Sequence, residues 1–200
     1  MFRNSFIEHQ TVISIDTMSK IVAVIASPRK AGNCVAIVEK MAEAAKAKGN
    51  DVEIFNVNTL EFKGCQACMG CKKAGQGCIR KDGLTPVLDA IKECDGLILA
   101  TPDYFGQPTG QYRCFEDRMY GYLGGDFSCC IKPGLKFVPV VTSGSGAGAD
   151  DIVNGIKRVM AGYFKMECIG EINYSEAAGK GPAKDNADVM AQAAELAGKF

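Results

Sequence analysis

Four cysteines, Cys65, Cys68, Cys71 and Cys78, fall in the stretch CQACMGCKKAGQGC with the spacing C-x2-C-x2-C-x6-C. Thiols this close can gather round one metal centre, pair as disulfides, or lie idle in a glycine-rich loop. Zinc and iron–sulfur clusters both accept four thiolates. Zinc usually takes two C-x2-C knuckles set well apart, whereas a tight triple with a nearby fourth is more typical of a [4Fe–4S] cluster. No proline follows Cys78, unlike the bacterial ferredoxin run. Zinc and an empty thiol loop stay open on spacing alone. Disulfides rank last, because the first twenty residues show neither a continuous apolar segment nor a cleavage site, and a cytoplasmic chain keeps its thiols reduced.

Three other stretches could hold a ligand. In Ser27-Pro28-Arg29-Lys30-Ala31-Gly32-Asn33-Cys34 a short polar loop enters a helix, whose first N–H groups are free to meet an anion. Ser27 and Asn33 add donors, Arg29 adds charge, and Gly32 allows a tight path. The plainer reading is a helix cap with solvated basic residues. Neither G-x-x-x-x-G-K-[ST] nor G-x-G-x-x-G is present. Thr101-Pro102-Asp103-Tyr104-Phe105-Gly106-Gln107-Pro108 makes a stiff, flat, partly apolar rim suited to a ring system, or else an aromatic pair facing the core. Ser143-Gly144-Ser145-Gly146-Ala147-Gly148 lets backbone approach a ligand closely, but is generic by itself.

The elements that would position these loops alternate. Apolar, β-branched runs predict strands over 20–26, 51–57, 95–101, 136–142 and 165–172. Helical spacing predicts helices over 33–48, 85–93, 110–120, 149–163 and 184–199. A long loop carries the cysteines to about residue 83. Pro139 strains the fourth strand, since it removes a backbone donor from an interior position. Five such strand–helix repeats imply a parallel sheet covered by helices on both faces, with ligands beyond the carboxyl ends of the strands. The ligand-like loops follow strands one, three and four.

Composition narrows the function classes. The chain has 200 residues, 47% of them hydrophobic, which is enough for a sizeable core. Lysine plus arginine equals aspartate plus glutamate at 23 each, so bulk charge gives no support for nucleic-acid binding. No apolar run is long enough to cross a bilayer, and no membrane association is expected. Residues 1–17 read as a poorly structured appendage ahead of a single domain over 18–200, and His9, the only histidine, reads as a bystander within it. Cys94, Cys114 and Cys168 lie in apolar periodic segments and read as small buried residues; Cys129 and Cys130 receive no role.

The first loop resembles the G-S-P-R-x-x-G-N-[TS] loop of the flavodoxin-like NAD(P)H-dependent FMN reductases. It departs at Ala26 in place of glycine and at Cys34 in place of a hydroxyl residue. Pro102-Asp103-Tyr104-Phe105 resembles that family's P-x-Y-[FW] loop, and Phe115-Glu116-Asp117-Arg118 its F-x-D-R. The cysteine motif at 64–79 is similar to that of the iron–sulfur flavoprotein branch. The resemblance covers roughly residues 20–175. It implies a flavodoxin-like, doubly wound α/β fold with a five-stranded parallel sheet in the order 2-1-3-4-5. It implies FMN held at its phosphate by Ser27, Arg29, Lys30, Gly32, Asn33 and Cys34, the last a neutral, weaker donor. Pro102, Asp103, Tyr104, Phe105 and Gly106 would lie along the ring, and Ser143, Gly144 and Ser145 at its polar edge. Cys65, Cys68, Cys71 and Cys78 would ligate a [4Fe–4S] cluster. The implied activity is that of an FMN-dependent oxidoreductase with no catalytic acid or base. Electrons would pass between FMN and the cluster or an outside partner: ferredoxin, NAD(P)H or another small-molecule donor or acceptor. A homo-oligomer, dimer or tetramer, is implied as well. Rival readings are an NAD(P)H-dependent FMN or quinone reductase without a cluster, and a non-enzymatic module with structural zinc.

Overall fold

The computed structural model describes residues 18–74, 77–145, 149–177 and 180–200. The expected appendage at 1–17, with His9, and residues 146–148 of the third loop lie outside them. In chain order the elements are β1 (Lys20–Ile25), α1 (Asn33–Ala47), β2 (Asp51–Asn56), α2 (Gly70–Ala74), α3 (Thr85–Glu93), β3 (Gly96–Tyr104), β4 (Gln107–Pro108), α4 (Gly110–Arg118), β5 (Lys136–Ser143), α5 (Ala149–Phe164), β6 (Glu167–Cys168), β7 (Ile172–Ser175) and α6 (Ala187–Ala197).

The sheet runs β2-β1-β3-β5 in parallel, and its last position is shared by β6 and β7, both parallel to β5. That is the expected 2-1-3-4-5 path with two differences. The fifth strand, expected over 165–172, is two short pieces, and the second ends at Ser175. β4 is an addition, antiparallel to the end of β3.

Pro139 accounts for the first difference. Phe137 O accepts from Ile169 N–H at 3.1 Å, so odd-numbered residues of β5 turn their backbone groups toward the fifth strand. Pro139 therefore lacks its donor on that side, between the pairs Phe137–Cys168 and Val140–Ile172, where the fifth strand is interrupted. On its other side it stays in register with Leu99. Proline is tolerated inside the sheet because the break falls opposite it.

Side-chain alternation divides the core in two. Ile21, Ala23 and Ile25 of β1 join Ile98, Val138 and Val140 under α1 and α6. Val22 and Val24 join Leu97, Leu99, Phe137 and Val141 under α3, α4 and α5. Strands buried on both faces must be apolar at nearly every position, which explains why KIVAVI shows no alternation. Cys94 is buried, as expected of a small core residue, while Cys114 and Cys168 are only half-buried. The loops after β1, β3 and β5 all emerge at the carboxyl ends of neighbouring strands.

Candidate functional site

At those strand ends a cavity of about 190 Å³ is lined by Ser27, Arg29, Gly32, Asn33, Pro102, Asp103, Tyr104, Thr142, Ser143, Gly144 and Glu176. Threonines fix its floor. Thr109 Oγ1 donates to Ala26 O at 2.8 Å, and its N–H donates to Thr101 Oγ1 at 3.1 Å. Thr109 Oγ1 also accepts from Tyr112 N–H and so caps α4. One buried side chain thus ties β1, β3 and α4 together directly beneath the site.

Helix α1 begins at the cavity wall, with Gly32 as its cap and no side-chain hydrogen bond there. Its first N–H groups have no partners within the helix, the condition for receiving an anion. Ser27 is buried and its Oγ accepts from Arg29 N–H at 3.3 Å, which shapes the turn. Asn33 spans the site. Its Oδ1 accepts from Ala183 N–H at 3.0 Å, and its Nδ2 donates to Glu176 Oε1 at 2.7 Å. On the opposite wall Asp103 Oδ1 accepts from Gly106 N–H at 2.7 Å, bracing a tight turn in which Phe105 and Gly106 have φ of 57° and 71°. That turn folds β4 back on β3.

The cavity thus gathers nine of the fourteen residues expected at a flavin. Cys34 lies behind it: buried, its sulfur is 3.1 Å from Thr142 Oγ1. Burial pushes its thiol up to about 11, although the Thr142 contact and its own N–H pull the other way. It is therefore a neutral thiol, as expected, but in the wall rather than on it. Lys30 and Ser145 are exposed beside the cavity. Phe105 is wholly exposed at the rim, and Gly106 forms the turn under it. Thr142 and Glu176 were not expected. Thr142 has a sequence signal, being the polar end of an apolar strand beside a glycine-rich loop.

The four cysteines line a second, mostly apolar pocket of about 20 Å³ with Arg118, Tyr120 and Gly121. Cys71 is buried, Cys78 half-buried, and Cys65 and Cys68 exposed. Left-handed backbone at Ala67 and Met69, with φ of 50° and 55°, coils the loop between them. A Cβ on Gly121 would lie 2.6 Å from Cys78 N, so only glycine admits the chain there. Lys72 of α2 donates to Tyr120 O at 2.7 Å and sits 3.4 Å from the centre of its ring. Arg118 is the centrepiece. Its Nε donates to Cys78 Sγ at 3.1 Å, Nη1 to Lys63 O at 2.8 Å and Asp82 Oδ2 at 2.7 Å, and Nη2 to Asp82 Oδ1 at 3.2 Å. Among the described residues, no three Cys, His, Asp or Glu side chains already surround one ion position. Four thiols on one apolar pocket, with a guanidinium donating to one sulfur, do suit a thiolate-bound centre.

A family model described as NADPH-dependent FMN reductase matches residues 19–180. An iron–sulfur flavoprotein of Archaeoglobus fulgidus is 34% identical over 125 residues, covering 62% of this chain and 59% of that protein. One of Methanosarcina thermophila is 30% identical over 99 residues, covering 50% and 51%. These matches therefore take in little more than half of either relative. Among solved structures, an apo NADH:FMN oxidoreductase is similar with a TM-score of 0.67 at 20% identity, covering 92% of this chain and 88% of that one. An azoreductase of Bacillus anthracis gives 0.66 at 20% identity, covering 92% and 100%. Identity that low speaks to the flavodoxin-like fold alone. The family match takes in all three cavity loops and all four clustered cysteines, and the chain belongs to the NADPH-dependent FMN reductases.

Proposed function

We propose that the protein is an FMN-dependent oxidoreductase of the iron–sulfur flavoprotein kind. One observation carries this reading: the loops after β1, β3 and β5 meet in a single cavity at the uncapped start of α1. The cavity is smaller than the roughly 300–1,000 Å³ of a whole small-molecule site, so it suits the phosphate end of the flavin. The ring would lie along Pro102, Tyr104 and Phe105, with its polar edge toward Ser143, Gly144 and Ser145. FMN would supply the hydride and electron chemistry, and a [4Fe–4S] cluster on Cys65, Cys68, Cys71 and Cys78 would supply one-electron exchange. The chain's own part is binding and placement. Ser27, Asn33 and the α1 N–H groups hold an anion, and the turn at 103–106 shapes the rim. Arg118 and Lys72 fasten the cysteine loop to α4 and the turn after it. The outside partner is ferredoxin or a small molecule such as NAD(P)H, and the working form is a dimer or tetramer.

A second reading, an NAD(P)H-dependent FMN or quinone reductase without a cluster, is favoured by the thiols' not yet sharing one ion position. Bleaching of flavin absorbance under argon separates the two. Reduction by reduced ferredoxin, lost in Cys68→Ala, supports the first. Reduction by NADPH or NADH alone, unchanged in Cys68→Ala, supports the second. No reduction by any donor overturns both.

A further inference from the structure

Glu176 puts a carboxylate on the wall of the cavity proposed for a phosphate. It does not hang loosely there. Its backbone N–H donates to Ser143 O at 3.1 Å, just past the end of β7, so the residue is seated beside β5. Its Oε1 takes the Asn33 Nδ2–H at 2.7 Å. Asn33 has no freedom to turn its amide round, because Oδ1 is needed by the N–H of the buried Ala183 at 3.0 Å. The Asn33 amide can therefore offer only its NH2 to the cavity, and Glu176 takes one of that group's two N–H bonds. Carboxylate oxygen and phosphate oxygen are the same kind of acceptor, and both carry negative charge.

We infer that Glu176 is an internal competitor for the phosphate of the flavin. This rests on the phosphate reading of the cavity. An incoming phosphate must share the Asn33 NH2 with the Glu176 carboxylate, against the repulsion of two like charges, or displace it. Because Glu176 stays tethered at its backbone, it remains close enough to repel the bound dianion. The residue thus sets how firmly a phosphorylated flavin is held and keeps it exchangeable. A flavin without phosphate leaves the Asn33–Glu176 bond in place and is indifferent to the charge.

The test compares FMN and riboflavin binding to the wild-type chain and to Glu176→Gln, followed by quenching of flavin fluorescence. Glutamine keeps the length of the side chain and an oxygen for Asn33 while removing the charge. The expected result is FMN affinity at least about fivefold higher in Glu176→Gln, with riboflavin affinity unchanged. Glu176→Ala, which removes the acceptor as well, is expected to favour FMN by at least as much. A wild-type preference for FMN over riboflavin that neither variant increases overturns the inference alone. Equal affinity for the two flavins in wild type and both variants overturns the phosphate reading and the inference together.

Discussion

Arg118→Ala removes the side chain that holds the cysteine loop to the body of the fold. The Arg118 side chain is 0% exposed and Asp82, its bidentate partner, is 17% exposed. Removing it takes from Asp82 its guanidinium partner, leaving the Leu84 N–H and the charge of Arg80, and takes hydrogen bonds from Lys63 O and Cys78 Sγ. Breaking a buried ion pair at one end costs roughly 3–5 kcal/mol. For a chain of this size that is a fall in melting temperature of about 6–20 °C. Arg118→Lys keeps the charge but not the fork, and should lose about half as much. Partial burial raises the Asp82 carboxyl, and the Arg118 hydrogen bond, the Leu84 N–H and the charges of Arg118 and Arg80 more than offset it, leaving it below its ordinary value. A depressed carboxyl stabilises fully above its unfolded pKa and loses that contribution as pH falls through the folded one. The gap between wild type and Arg118→Ala should therefore narrow below about pH 4. Urea unfolding of the metal-free chain at pH 7 and pH 3.5 measures both effects. A loss below about 1 kcal/mol at pH 7, the scale of an exposed pair, would refute the clamp.

Asn33→Ala should raise the dissociation constant for FMN about 10- to 100-fold, the worth of one hydrogen bond to a charged group. The buried Ala183 N–H it orphans should cost about 1–3 kcal/mol, within the stability of an ordinary domain, so the chain stays folded; unchanged FMN affinity counts against the cradle. In the native metal-free chain at pH 8, iodoacetamide should label the exposed Cys65 and Cys68 but spare Cys34, whose thiol burial pushes up to about 11. Equal labelling rates would contradict its place behind the cavity wall.

The buried strands and long helices were legible because apolar periodicity states them directly. Helix α3 spans Thr85–Glu93, the range its spacing implied. What escaped was set by contacts far along the chain. The extension of β3 to Tyr104 depends on left-handed backbone at Phe105, braced by Asp103, and a bulky aromatic carries no signal for that conformation. The split fifth strand follows from a proline in its neighbour. Helix α2, in GCKKA, is too short for periodicity to show, and Lys72 holds it in place through Tyr120. Three cavity loops could be picked out by residue type, but Glu176 is brought to the site by contacts with Ser143 O and with the Asn33 amide, 143 residues away.

The most direct measurement is an absorption spectrum of protein purified without oxygen, with iron and zinc analysis on the same sample. The account predicts flavin bands over a broad iron–sulfur shoulder and about four irons per chain. Zinc in place of iron, with no flavin bound even after FMN is added, would contradict it.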